Sequence, residues 1–111
     1  MDELPVIAKA FDLAKEMTER TRKFPRDLRF VLGDRILTTT YDVVDLLLEA
    51  KYARSKRGLL DRTNVLLDRL RFQIRLCMEE KLVSVRQYEF LAGLINETGQ
   101  MVGGWRKSVK E

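Results

Sequence analysis

Histidine is absent from the 111 residues. Its absence excludes every mechanism that needs an imidazole: Ser-His-Asp triads, histidine-ligated zinc and proton relays near neutral pH. The single cysteine, Cys77, permits no internal disulfide and no CxxC centre. Two prolines and six glycines are too few for a collagenous, loop-rich or low-complexity chain. The uninterrupted apolar runs, such as Val43–Val44 and Leu46–Leu48, are far too short to cross a membrane. The opening MDELPVIAKAF has no basic stretch ahead of a long apolar run, so no secretory leader is visible. The motifs GxxxxGK[ST], GxGxxG, HExxH and GxSxG are all missing. These absences predict a reduced, cytoplasmic, non-membrane protein that is not an enzyme and carries no cofactor or metal.

What is present is a globular composition. Hydrophobic residues make up 45% and charged residues 34%. At this length about two-thirds of the unfolded surface can be buried, enough for one core, so residues 1–111 read as a single domain. Twenty-one basic residues face 17 acidic ones, for a net charge of +4 and a pI near 9.4. That balance leans towards polyanionic partners, although a charge of this size also serves solubility alone.

Punctuation and periodicity divide the chain into four helices. Pro5 suits a first helical turn, with Asp2 and Glu3 near its positive end. Val6, Ile7, Ala10, Phe11, Leu13, Ala14 and Met17 then share one face until Pro25 stops the helix near Lys23. A second, longer helix is expected from Arg26 to Arg54, with Gly33 inside it as a sign of close packing or a tolerated defect. A third runs from Leu59 to Lys81. Ser84 opens the fourth, with Gln87 placed for a capping box. That helix fades around Gly103-Gly104 or just after Trp105, leaving RKSVKE as a frayed tail. No strand pattern competes. Short loops make the helices antiparallel neighbours, so the expected fold is all-α, an up-down-up-down four-helix bundle.

Two of these helices carry more apolar surface than one core needs. On the third, Leu59, Leu60, Thr63, Leu66, Leu67, Leu70, Ile74, Cys77 and Met78 fill one arc of about 120°. Val65, Phe72 and Leu76 form a separate stripe. On the second, Leu28, Leu32, Ile36, Val43, Leu46, Leu47 and Ala50 form the core arc. Phe30, Leu37, Tyr41, Val44, Leu48 and Tyr52 form another. For either helix alone, the wide buried arc of a small bundle is an equally good explanation. Two of them, each with aromatics, point to self-association, with Phe30, Leu37, Val44, Val65, Phe72 and Leu76 at the seam.

Positive charge gathers in three places. Arg26 and Arg29 flank the first loop. Lys51, Arg54, Lys56 and Arg57 flank the second, at the opposite end of an antiparallel bundle. Arg71 and Arg75 stand at i, i+4 on the third helix, so both guanidinium groups leave one face. Arginine suits bidentate phosphate contact. Plain surface charge is the competing explanation: Arg71 can pair with Asp68, and Arg75 with Glu79. Arg71 sits at the edge of the apolar arc, where a charge needs a partner, a seam or a channel. The carboxylate pairs Asp42 with Asp45 and Glu79 with Glu80 lie among basic neighbours and read as solvated faces. Cys77, Met17, Met78 and Met101 read as core.

Three segments carry a family resemblance: Phe24-Pro25-Arg26, Leu70-Arg71-Phe72-x-x-Arg75-Leu76 and Gly99-x-x-Val102-Gly103-x-Trp105. In this order and spacing they resemble the accessory variability determinant proteins of diversity-generating retroelements. They are also similar to the four-helix proteins encoded in intervening sequences of 23S ribosomal RNA genes. The first resemblance implies a homopentameric bundle with a basic channel. It implies binding to a reverse transcriptase and to RNA or cDNA during mutagenic cDNA synthesis, with Arg71 and Arg75 matching the basic residues that matter. The second implies a bundle of unknown, non-enzymatic role; a purely structural oligomer is a third reading. The basic tail of the first family is short here, only Arg106, Lys107 and Lys110.

Overall fold

Loop chemistry sets the helix ends. In the computed structural model, which describes residues 4–111, helix α1 spans Leu4–Arg22. Phe24 then turns inward and is buried, and Pro25 precedes the next helix at φ −52°. The reading of Asp2 and Glu3 lies outside the described residues. Helix α2 covers 26–52 without a break, as Arg26–Leu28, a π-helical stretch Arg29–Gly33, and Asp34–Tyr52. Helix α3 is Arg57–Glu79 and helix α4 is Val85–Ser108. Among the described residues every regular element is a helix. Each packs against its sequence neighbours, and α1 closes the ring on α4. The result is the antiparallel four-helix bundle expected from the pattern.

One stripe of each helix supplies the core. Leu13 and Met17 of α1, Ile36, Val43 and Leu47 of α2, Leu60, Leu67, Leu70 and Ile74 of α3, and Leu91, Ile95 and Val102 of α4 are fully buried. Five buried threonines keep their hydroxyls satisfied within their own helices. Thr21, Thr39, Thr40, Thr63 and Thr98 each donate to the carbonyl four residues back, at 2.7 to 2.9 Å. Cys77 is buried, and burial pushes its thiol up to about 11, as expected of an inert core cysteine.

The caps are specific. Ser84 and Gln87 form the expected capping box, Gln87 N donating to Ser84 Oγ at 3.0 Å and Ser84 N to Gln87 Oε1 at 2.9 Å. Helix α3 ends in a Schellman motif: Leu82 N donates to Cys77 O at 2.8 Å and Lys81 N to Met78 O at 3.0 Å. Lys81 takes the left-handed position, φ 61°, that glycine more often fills.

The structure refines two expectations and corrects one. The second helix stops at Tyr52, two residues early. Lys56 caps this end, its Nζ donating to the carbonyls of Ala50, Lys51 and Ala53 at 2.7, 3.2 and 2.8 Å. Gly33 is buried in the π turn, but a β-carbon there would sit 3.6 Å from Thr21 Cβ, an ordinary contact. Of the two readings of this glycine, the tolerated defect fits this geometry and close packing does not.

The correction concerns the tail, which is docked and not frayed. Arg106 pairs with Asp61 of α3, Nε to Oδ1 at 2.8 Å, and Val109 packs on the core. Glu111 accepts the backbone N–H of Lys56 and that of Arg57, the latter at 2.8 Å. A carboxylate thereby caps the positive start of α3, which has no cap from its own neighbours. These amides, Arg57 first and then Lys56, hold the Glu111 carboxyl below its usual range. A lowered folded-state value gives stability that is complete above the unfolded value of about 4.3 and is lost as pH falls through the folded one. Thermal melts from neutral pH down to acid should therefore show wild type and Glu111→Gln converging at low pH. An unchanged gap at all pH values would contradict the cap.

Candidate nucleic-acid interface

The arginine pair on α3 occupies two different settings. Arg71 lies in the seam between α3 and α4. Its Nε donates to Asn96 Oδ1 of α4 at 3.0 Å, and its Nη1 to Asp68 Oδ1 at 3.1 Å. Its Nη2 rests over Gly99, where a β-carbon would come within 3.0 Å. One turn on, Arg75 points outward and donates from Nε to Glu79 Oε2 at 2.9 Å. The two i-spaced ion pairs anticipated from the sequence are thus present. Both are solvent-facing, so each contributes no more than about 1 kcal/mol to stability. Neither consumes all five N–H donors of its guanidinium.

The loop clusters differ from this pair and from each other. At one end Arg26 is exposed, while Arg29 lies with its guanidinium carbon 5.6 Å from the Phe30 ring centre. At the other end Lys51 stacks 5.4 Å above Tyr52, and Arg54 and Arg57 are exposed. Lys56 must be withdrawn from the binding set: all three donors of its ammonium are spent on the end of α2. One chain does not bring the three clusters together, since the loops lie at opposite ends of a body 45 Å long. Only Arg71 and Arg75 share a face.

The proposed seam residues also separate. Phe30, Val65, Phe72 and Leu76 are exposed, at 62, 61, 65 and 48%. Val65, Phe72 and Leu76 project from the side of α3 opposite its buried stripe. Leu37 and Val44 are half-buried and pack on the core of their own chain. Beside them Tyr41 and Leu48 on α2 and Phe11 on α1 are exposed, and the Tyr41 hydroxyl lies 2.9 Å from that of Thr18. A second apolar face therefore straddles the α1–α2 seam.

Sequence reasoning missed Asn96 and Gly99 as companions of Arg71, because 25 and 28 residues separate them from it. It also missed Arg35 and Arg69, which line the groove between α2 and α3 with Asp34 and Gln73. No cluster of metal-binding side chains occurs among the described residues. No helix among them is long and apolar enough to cross a membrane.

The fold is that of a four-helix-bundle protein with arginines and exposed apolar side chains on its surface. The chain belongs to the bAvd-like family, whose model matches residues 6–109. The match agrees with the resemblance to accessory variability determinant proteins read from Phe24–Arg26, Leu70–Leu76 and Gly99–Trp105. In fold it is similar to a protein of unknown function from the S23 ribosomal protein family of Bacteroides thetaiotaomicron VPI-5482. The TM-score is 0.89 at 17% identity, covering 97% of this chain and 100% of that one. No curated protein matches it.

Proposed function

We propose that the protein is a non-catalytic accessory factor of a diversity-generating retroelement. It binds RNA or cDNA through Arg71 and Arg75 and docks the element's reverse transcriptase. Arg26, Arg29, Lys51, Arg54 and Arg57 supply a more diffuse attraction at the bundle ends. The chain self-assembles, as a pentamer by resemblance, with Val65, Phe72 and Leu76 of one copy against the α1–α2 seam of the next. Phe30 and the half-buried Leu37 and Val44 belong to the same contact.

The observation that carries this reading is the arginine pair on one face of α3, Arg71 half-buried and Arg75 exposed, in a chain of the bAvd-like family. Contacts of this kind read phosphates and not bases, so binding is largely independent of sequence. Each phosphate contact to a single strand adds about 0.7 to the slope of log affinity against log salt. Titration of a labelled RNA should therefore show tight binding at about 50 mM salt and a steep loss by about 200 mM. Absent binding at the lower salt, or affinity indifferent to salt, would overturn the reading. A reverse transcriptase gene and a template–variable repeat pair beside the coding sequence would separate this role from that of an intervening-sequence relative.

A further inference from the structure

We infer that Asn96 and Gly99 of α4 are positioning residues for Arg71, holding its guanidinium ready for a phosphodiester oxygen of single-stranded RNA. The inference rests on the nucleic-acid-binding reading above. Arg71 is anchored at two points. Its Nε is fixed by Asn96 Oδ1 at 3.0 Å, and its Nη1 by Asp68 Oδ1 at 3.1 Å. Three of its five N–H donors remain free, two of them on Nη2. Asn96 is an uncharged acceptor, so it orients the fork without neutralising it. Asp68 is 69% exposed, and water screens its charge.

Gly99 supplies the floor. Nη2 lies 3.0 Å from the position of a β-carbon there, closer than ordinary side-chain contacts. A β-carbon at this position would require the guanidinium to shift by a few tenths of an ångström from its seat. An arginine already ordered in the free protein loses less side-chain freedom when it meets a phosphate. Arg75 has no such seat. Its single partner, Glu79, is one turn away on its own helix, and its side chain is 60% exposed against 37% for Arg71.

Gly99→Ala tests this with the charge untouched. The added methyl displaces Nη2 by a few tenths of an ångström, while alanine favours helix over glycine, so the fold is not weakened. RNA affinity should fall about 3–10-fold, with a melting temperature equal to or above that of wild type. Asn96→Ala should lower affinity by a similar factor. It removes no charge, so the salt slope should stay at the wild-type value, whereas Arg71→Ala should reduce it by about 0.7 per strand contact.

An Arg71→Lys background closes the cycle. Lysine has no planar fork to seat, so adding Gly99→Ala there should change affinity less than about twofold. If Arg71→Ala binds RNA like wild type, the assignment of the binding face is wrong. If Arg71→Ala weakens binding but Gly99→Ala and Asn96→Ala do not, the binding face stands and the positioning role is overturned. An equal loss from Gly99→Ala in both backgrounds would overturn it as well, since the effect would not run through Arg71.

Discussion

Replacing Arg71 and Arg75 together by alanine should lower RNA affinity by about 100-fold or more, with a melting temperature within a few degrees of wild type. The two halves of this expectation rest on different observations. A hydrogen bond to a charged group is worth about 1.5–3 kcal/mol when it meets a phosphate in a partly dehydrated contact. The same side chains are solvent-facing in the free protein, where the pairs Arg71–Asp68 and Arg75–Glu79 are screened and worth about 0–1 kcal/mol each. Asn96 and Glu79 lose a donor but stay accessible to water, so no orphaned buried group results. The salt slope should drop by about 1.4, because neither arginine then pairs with a phosphate of the single strand. Filter binding at several salt concentrations, beside a thermal melt, measures both. Wild-type affinity in a folded double variant would remove the arginine pair from the function.

The second large effect concerns assembly. Phe72 and Leu76 are 65% and 48% exposed on a helix whose opposite side holds Leu67, Leu70 and Ile74 in the core. A stripe of this kind on an isolated monomer adds nothing to its own stability. Phe72→Asp with Leu76→Asp should therefore leave the bundle folded but convert the assembly to a 13.0 kDa monomer. Two unpaired carboxylates in a closed apolar contact cost several kcal/mol per subunit, more than a small interface can absorb. The two apolar faces differ: one on α3, the other formed by Phe11, Tyr41 and Leu48 across the α1–α2 seam. Unlike faces make head-to-tail contacts, which close into rings when the rotation allows. Sedimentation or light scattering reads the result. A double variant that keeps the wild-type mass would place the interface elsewhere.

The legible parts of the chain were those governed by neighbours in sequence. Pro25 marked the first break, Ser84 and Gln87 marked the last helix start, and the i-spaced partners Asp68 and Glu79 were readable beside Arg71 and Arg75. Position on the helix face also placed Arg71 at the rim of the buried arc, where the structure puts it. What escaped depends on contacts between distant segments. Asn96 and Gly99 meet Arg71 only because α3 and α4 run antiparallel side by side. The tail looked disordered from RKSVKE alone, yet Asp61 and the bare start of α3 hold it in place. Lys56 counted as free charge until the fold put its ammonium over the end of α2. Leu37 and Val44 look equivalent to Leu48 on a helical wheel. Packing against their own core makes the difference.

The most direct measurement is light scattering coupled to size exclusion, with and without a labelled RNA, at low and moderate salt. The expected result is a closed oligomer near five times 13.0 kDa that carries RNA at low salt and releases it as salt rises. A monomer that ignores RNA at both salts would contradict both the assembly and the basic face.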